Sequence, residues 1–380
     1  MTYIHVDTPD AAGELKHTLS SASRIALDCE AAGFHRYDNR LCLVQLTAGD
    51  ETYVVDPFAV DVAALLGDAL HRSDVPIVMH GADFDLRLLG GELGLRVNGL
   101  FDTQIAASLL GVESLGLAAL LEARFGVKLS KKHQRADWAE RPLSDEMLEY
   151  AANDTRYLLE LADQLTAELE SAGRTEWSEQ ECRALETVAD NAGPPDEPED
   201  PVIRVKGARD LSTHQVAALR EALMWRDEIA RARDRAAFRV VGDGPLLDAV
   251  ARHPKRVDEL VEIKGFPGNL ARSEGEELLK RLHAVTLAPE DDLEPYPRAT
   301  SRGAGRPPPE VEEVVNRLKD VRNRKAEELG LPRGTLLSNA VLLQIATDAP
   351  SSLDALGSID GMRPWRVELL GRELLDVLQA

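Results

Sequence analysis

Two carboxylates, Asp28 and Glu30, stand one residue apart at the end of the apolar run Arg24-Ile25-Ala26-Leu27-Asp28-Cys29-Glu30. The run reads as a buried strand. Alternate strand residues share a face, so both acids project side by side. Like charges held together repel, and a divalent cation resolves the conflict. Two further segments extend the pattern. His80-Gly81-Ala82-Asp83-Phe84-Asp85-Leu86 sets carboxylates just after an expected strand, where α/β proteins often build sites. Tyr150-Ala151-Ala152-Asn153-Asp154 puts a phenol and a carboxylate at i and i+4 on one helical face. Each piece alone has an ordinary explanation: a solvated strand edge, a helix cap, a half-exposed helix face. In this order together they predict metal-assisted chemistry on hard oxygen ligands.

The elements that must position these groups alternate strand and helix. Leu41–Thr47 and Glu51–Asp56 are apolar runs joined by Ala48-Gly49-Asp50, a hairpin signal. With the strand before Glu30 they predict a three-stranded meander. Val75–His80 reads as a further strand. Asp83–Leu89 begins a helix with Asp83 as its expected N-cap. Asp102-Thr103-Gln104 opens another helix, and Leu143-Ser144-Asp145 opens one long helix through about Ala172. This is a mixed α/β layer architecture.

The composition changes near Asn191. Gly193 to Pro201 is a proline-rich acidic stretch, and Ala288 to Pro309 is a second linker rich in Pro, Gly and charge. Strand signals vanish after the first. Residues 211–285 and 310–380 read as short helices, and the two stretches match loosely. Trp225-Arg226-Asp227 corresponds to Val321-Arg322-Asn323, and Ile263-Lys264-Gly265-Phe266 to Ile359-Asp360-Gly361-Met362. The expected division is an α/β domain over 1–192, a linker over 193–210, a helical domain over 211–286, a linker over 287–309 and a second copy over 310–380.

A net charge of −22 argues against a generic polyanion binder. The charge is uneven: residues 1–170 carry 14 basic and 28 acidic side chains, and residues 211–285 carry 13 and 12. A nucleic-acid ligand therefore needs local basic tracks. Lys131-Lys132-His133-Gln134-Arg135 is the densest basic cluster of the acidic domain, and Arg226, Arg231, Arg233, Arg235 and Arg239 form a track in the first helical copy. Both could equally be solvated faces. Lys264-Gly265-Phe266-Pro267-Gly268-Asn269 could offer backbone N–H groups to a phosphate. Trp138 reads as a core anchor and His80 as structural. One of Phe34, His35 and Tyr37 could stack on a terminal base. Three cysteines, without metal or disulfide spacing, and no membrane-length apolar stretch predict a cytoplasmic protein; a monomer is expected.

Asp28, Glu30, Asp85, Tyr150 and Asp154 come with the stretches Leu43-Val44-Gln45-Leu46, Asp102-Thr103-Gln104, Arg135-Ala136-Asp137-Trp138 and Arg141-Pro142-Leu143. Together they resemble the DEDD exonuclease superfamily in its tyrosine subgroup, and within it the ribonuclease D family. The two helical copies resemble HRDC domains, so the likeness covers nearly the whole chain. It implies an α/β mixed-sheet, ribonuclease H-like exonuclease domain followed by two small all-α HRDC-like domains. It also implies two divalent ions, Mg²⁺ or Mn²⁺, held by Asp28, Glu30, Asp85 and Asp154, with Tyr150 orienting the attacking water. Asp85 rather than Asp83 fills the motif position, by its spacing from His80. Cys29, where a hydroxyl or small side chain is common in the family, should face away from the metals. The implied activity is 3′→5′ trimming of RNA 3′ ends such as tRNA precursors, releasing 5′-mononucleotides. The alternatives are a DNA exonuclease of the same superfamily and a non-catalytic RNA-binding scaffold. Lys131, Lys132, Arg135, Arg226, Arg231 and Lys264 are the candidate RNA contacts.

Overall fold

The computed structural model describes residues 3–190, 200–297 and 307–379; the expected linker residues 193–199 and 298–306 lie outside these. Six strands, β1 (Ile4–Val6), β2 (Ile25–Ala31), β3 (Leu41–Ala48), β4 (Glu51–Val55), β5 (Ile77–Met79) and β6 (Leu100–Asp102), form one sheet in the order β1-β4-β3-β2-β5-β6. The β2–β3–β4 meander is antiparallel as expected, and β1, β5 and β6 add in parallel at its edges. β3 is buried along its whole length, the pattern of a central strand covered on both faces. One sheet face packs on α1 (Pro9–Ser21), α2 (Val62–Leu70) and α3 (Asp83–Leu93) through Leu27, Val44, Leu46 and Val55. The helices α4 (Thr103–Leu109), α5 (Leu117–Phe125), α6 (Asp145–Arg156), α7 (Leu158–Ala172) and α8 (Thr175–Asp190) complete the domain.

Three local expectations change. Asp83 does not cap α3: the N-cap is Ala82, without a side-chain bond. The Gly81 and Ala82 N–H groups donate instead to Asp102, which also caps α4 through the Gln104 and Ile105 N–H groups. The long helix expected from Asp145 to Ala172 breaks at Tyr157 into α6 and α7. Composition also hid α8, whose apolar face carries Trp177 and the buried Cys182.

The remainder is helical, in two five-helix units. The first holds α9 (Thr213–Ala232), α10 (Ala237–Val240), α11 (Asp243–Arg252), α12 (Val257–Val261) and α13 (Gly268–Leu287); the second α14 (Pro309–Leu329), α15 (Arg333–Leu336), α16 (Asn339–Asp348), α17 (Leu353–Gly357) and α18 (Pro364–Gln379). The outer helices of each unit are long, not short, because they carry most of its core. Composition assigned residues 200–210 to a linker, yet Val202, Val205 and Ala208 enter the core of the first unit. The two units repeat the same brace and the same turn at matching places along the chain. Arg226 donates to the Val241 carbonyl at 3.1 Å and to Asp243 at 2.6 Å. Arg322 donates to the Leu337 carbonyl at 3.1 Å and to Asn339 at 2.8 Å. The glycine turns also match, with Gly265 at φ +84° and Gly361 at φ +86°, a region closed to most side chains.

Both units dock on the α/β domain. The second meets α8: Trp365 stacks on Trp177 at 4.4 Å and donates its indole N–H to Glu181 at 2.7 Å, which also pairs with Arg366. The first meets the loop after β2. Tyr37 donates its hydroxyl to Asp227 at 2.9 Å and accepts from Arg231 at 2.9 Å, and the Ala236 N–H donates to the His35 carbonyl at 3.0 Å.

Candidate active site

The period-2 pleat of β2 turns Asp28 and Glu30 to the α6 side, while Leu27 and Cys29 enter the opposite core. A register shift just after Glu30 ends the β2–β3 pairing and starts the 32–40 loop. Ser144 caps α6, and Asp154 and Tyr150 lie one helical turn apart on it. Oxygens of Asp28, Glu30 and Asp154 come within 4.8 Å of one another. Asp85 sits on the first turn of α3, buried, outside that tight trio but close enough for its charge to be felt by Glu30. Asp83, by contrast, faces solvent and pairs with Arg87 at 2.8 Å.

The electrostatics are those of a site built for a cation. Burial pushes Asp28 up to about 7. Burial first, then the neighbouring carboxylates, pushes Glu30, Asp85 and Asp154 well above the usual range. Among the described residues no basic side chain lowers any of the four. Yet Asp28, Glu30 and Asp154 are only half-buried, so an ion can reach them. Gln45 pairs across from Asp28 in the β2–β3 register, and its fully buried carboxamide has no protein partner among the described residues. Hard carboxylate oxygens, unrelieved repulsion and an unclaimed amide fit a divalent cation.

Tyr150 is also pushed up, by burial and then by Asp154, Glu30 and Asp28, so its phenol stays neutral. Two rings hold it: Trp138 at 6.0 Å and, edge-on, His133 at 5.9 Å. Trp138 is the expected core anchor, 2% exposed. His133 had no signal of its own in the sequence. Its loop is pinned by Arg141, which binds Asp56 at 2.7 Å and the Cys42 carbonyl at 2.8 Å. His80 is half-buried, its Nδ1 2.9 Å from the Thr103 hydroxyl, and Thr103 donates to the Met79 carbonyl. That is a structural strand-end placement.

The candidate RNA contacts scatter. Lys131 is exposed, and Lys132 pairs with Glu146. Arg135 lies 5.6 Å from the Phe34 ring centroid. The Arg226 head is held inside the first helical unit, so it serves that fold and not a surface track. Arg231 stacks on Tyr37 at 5.2 Å, and Arg233 pairs with Glu274. Lys264 is exposed, but the Phe266 N–H beside it donates to the Ile263 carbonyl. His35 and Tyr37 are taken up by the domain joint, whereas Phe34 is 38% exposed there.

Comparison with known proteins agrees with this architecture. A family model described as 3′-5′ exonuclease matches residues 3–170, and the HRDC domain model matches 215–282 and 311–378. Ribonuclease D of Xanthomonas oryzae is 32% identical over 376 residues, covering 97% of each chain. The crystal structure of Escherichia coli RNase D, described as an exoribonuclease involved in structured RNA processing, is 28% identical. It has a TM-score of 0.71 and covers 100% of this chain and 99% of its own. A protein from Bifidobacterium adolescentis, 26% identical, gives a TM-score of 0.84, with 100% of this chain and 97% of that one covered.

Proposed function

Because the chain belongs to the ribonuclease D family and is a 3′→5′ exoribonuclease acting on RNA, we propose that Asp28, Glu30, Asp85, Asp154 and Tyr150 carry its phosphodiester chemistry together with two divalent ions, Mg²⁺ or Mn²⁺. The convergence of three carboxylates within 4.8 Å, with no basic side chain among the described residues to relieve them, is the observation behind this reading. Asp28 would be shared between the ions, Glu30 and Asp154 would hold one of them, and Asp85 would support the other. Bound ions would offset the phosphate charge, activate the attacking water and steady the leaving 3′ oxygen. Tyr150 keeps its proton and orients that water through its hydroxyl. Cleavage of the last phosphodiester releases a 5′-mononucleotide.

We assign the catalytic domain to residues 1–192 and the helical domains to about 200–286 and 310–380, a division supported by the HRDC matches. The natural substrate is proposed to be a structured RNA with a 3′ trailer, such as a tRNA precursor; the described role of the Escherichia coli relative supports this. A cytoplasmic monomer completes the proposal, in keeping with three free, buried thiols. The test compares 3′-ribo and 3′-deoxy oligonucleotides with Mg²⁺ and with EDTA, for the wild type, Asp28→Ala and Asp154→Ala. RNA trimming should need the metal and vanish in both variants while their melting temperatures show a retained fold. Full activity in either variant removes the two-metal assignment.

A further inference from the structure

A group of side chains at the joint between the catalytic domain and the first helical unit takes no part in this chemistry. Phe34 lies four residues after Glu30, and Phe238 lies on α10. Their rings meet at 5.5 Å between centroids, tilted by 54°. Both remain open to water, 38% and 53% exposed, whereas a pair serving packing alone gains most when fully covered. Two guanidiniums flank Phe34, Arg239 at 4.6 Å and Arg135 at 5.6 Å from its centroid.

Neither guanidinium has a carboxylate partner among the described residues, although the chain carries 66 acidic side chains. Of the other arginines in the 226–239 stretch, Arg226, Arg231 and Arg233 are paired and Arg235 is exposed. The Nε of Arg239 is buried without an acceptor. The His35 nitrogen 3.4 Å from Arg239 lies 2.8 Å from the Arg135 carbonyl. It must donate there, so it cannot also accept from Arg239. The patch adjoins the active site, because the loop carrying Arg135 also sets His133 against Tyr150.

Exposed rings offer a stacking face to any base, and unpaired guanidiniums seek phosphate. We propose that Phe34, Phe238, Arg135 and Arg239 form a composite subsite for the single-stranded RNA leading to the 3′ end. Phe238 stacks an interior base, and the two arginines take flanking phosphates. The proposal rests on the exoribonuclease reading and deepens it, since half of the subsite comes from each domain.

The test uses the full-length protein in Ca²⁺ and single-stranded RNAs of about ten nucleotides, each with one abasic position, read by fluorescence anisotropy. The wild type should lose about tenfold in affinity at one interior position. That penalty should disappear in Phe238→Ala, and in Phe238→Leu, which keeps the apolar volume but not the flat ring. Arg239→Gln should lower the slope of log affinity against log salt by about one. A flat abasic scan, or a positional penalty that survives in both Phe238 variants, overturns the subsite and leaves the rings as interdomain packing. Digestion of the same RNAs in Mg²⁺ keeps the two readings apart. Digestion with a flat scan sinks the subsite alone, whereas no digestion by the wild type sinks the catalytic assignment.

Discussion

Removing the charge at Asp28 should stabilise the metal-free protein while abolishing its activity. Burial lifts the Asp28 carboxyl from 3.8 to about 7 in the folded state. An acid with a raised folded pKa costs nothing below its unfolded value. As pH rises from about 4 to 7 the unfolded chain ionises first, so stability falls across that window and stays low above it. At about 1.4 kcal/mol per pKa unit, the full penalty at pH 8 is about 4 kcal/mol. The carboxylate is half-buried, so solvent screening makes this a ceiling, and Asp28→Asn should recover about 1–3 kcal/mol. That corresponds to a melting temperature about 3–10 °C higher in EDTA at pH 8. The gain should shrink toward pH 5, where the wild-type group is largely protonated in the fold. Mn²⁺ should raise the wild-type midpoint at pH 8 and leave the variant nearly unmoved. Thermal melts by circular dichroism at the two pH values, with and without metal, read all of this. A lower midpoint for Asp28→Asn in EDTA at pH 8, or a gain independent of pH, would refute the argument that the Asp28 carboxylate is buried at a cost that a bound cation would offset.

Asp85→Asn should harm turnover far more than Asp83→Asn, because Asp85 is buried beside the cluster and Asp83 only pairs with Arg87 on the surface; steady-state rates check this. Tyr150→Phe should slow the chemical step by about 100-fold with RNA affinity in Ca²⁺ unchanged, and a wild-type single-turnover rate with weakened binding would make Tyr150 a substrate contact. Trp365→Ala removes the stack on Trp177 and should cost about 3–5 kcal/mol of stability, seen as a lower denaturation midpoint. Ending the chain near Gly193 keeps every candidate catalytic residue, but it bares α8 and frees the loop around Tyr37. The truncated protein should therefore lose thermal stability as well as affinity for folded RNA.

The cluster of candidate carboxylates was legible in part because local periodicity sets two pairs of its residues. Asp28 and Glu30 follow the strand repeat, and Tyr150 and Asp154 the helical one, so neither pair needs knowledge of distant chain. Asp83 reads as a cap in sequence because Asp102, which takes the Gly81 and Ala82 N–H groups, comes from the paired strand β6, about twenty residues further on. The Arg226–Arg239 track looked uniform in sequence, yet the structure splits it among an internal brace at Arg226, surface pairs at Arg231 and Arg233, an exposed Arg235 and a cation–π contact at Arg239. A run of charge does not say where its partners lie. The Phe34–Phe238 pair joins residues about two hundred positions apart, and no local pattern reports such a meeting. The linker over 200–210 was misjudged because Pro and Gly outweighed Val202 and Val205, whose destination is a core formed by later helices.

The matched arginine braces carry a consequence for how the two helical units can be handled. Each unit closes itself the same way, one guanidinium on the outer helix tying down the turn before the third helix. Their braces and glycine turns are thus built to one plan, while the edges they present differ. The first offers Asp227, Arg231 and Phe238 to the loop beyond β2; the second offers Trp365 and Arg366 to α8. Exchanging the units would yield modules that fold in place yet fit neither berth, so the address of each module is written on its rim and not in its core.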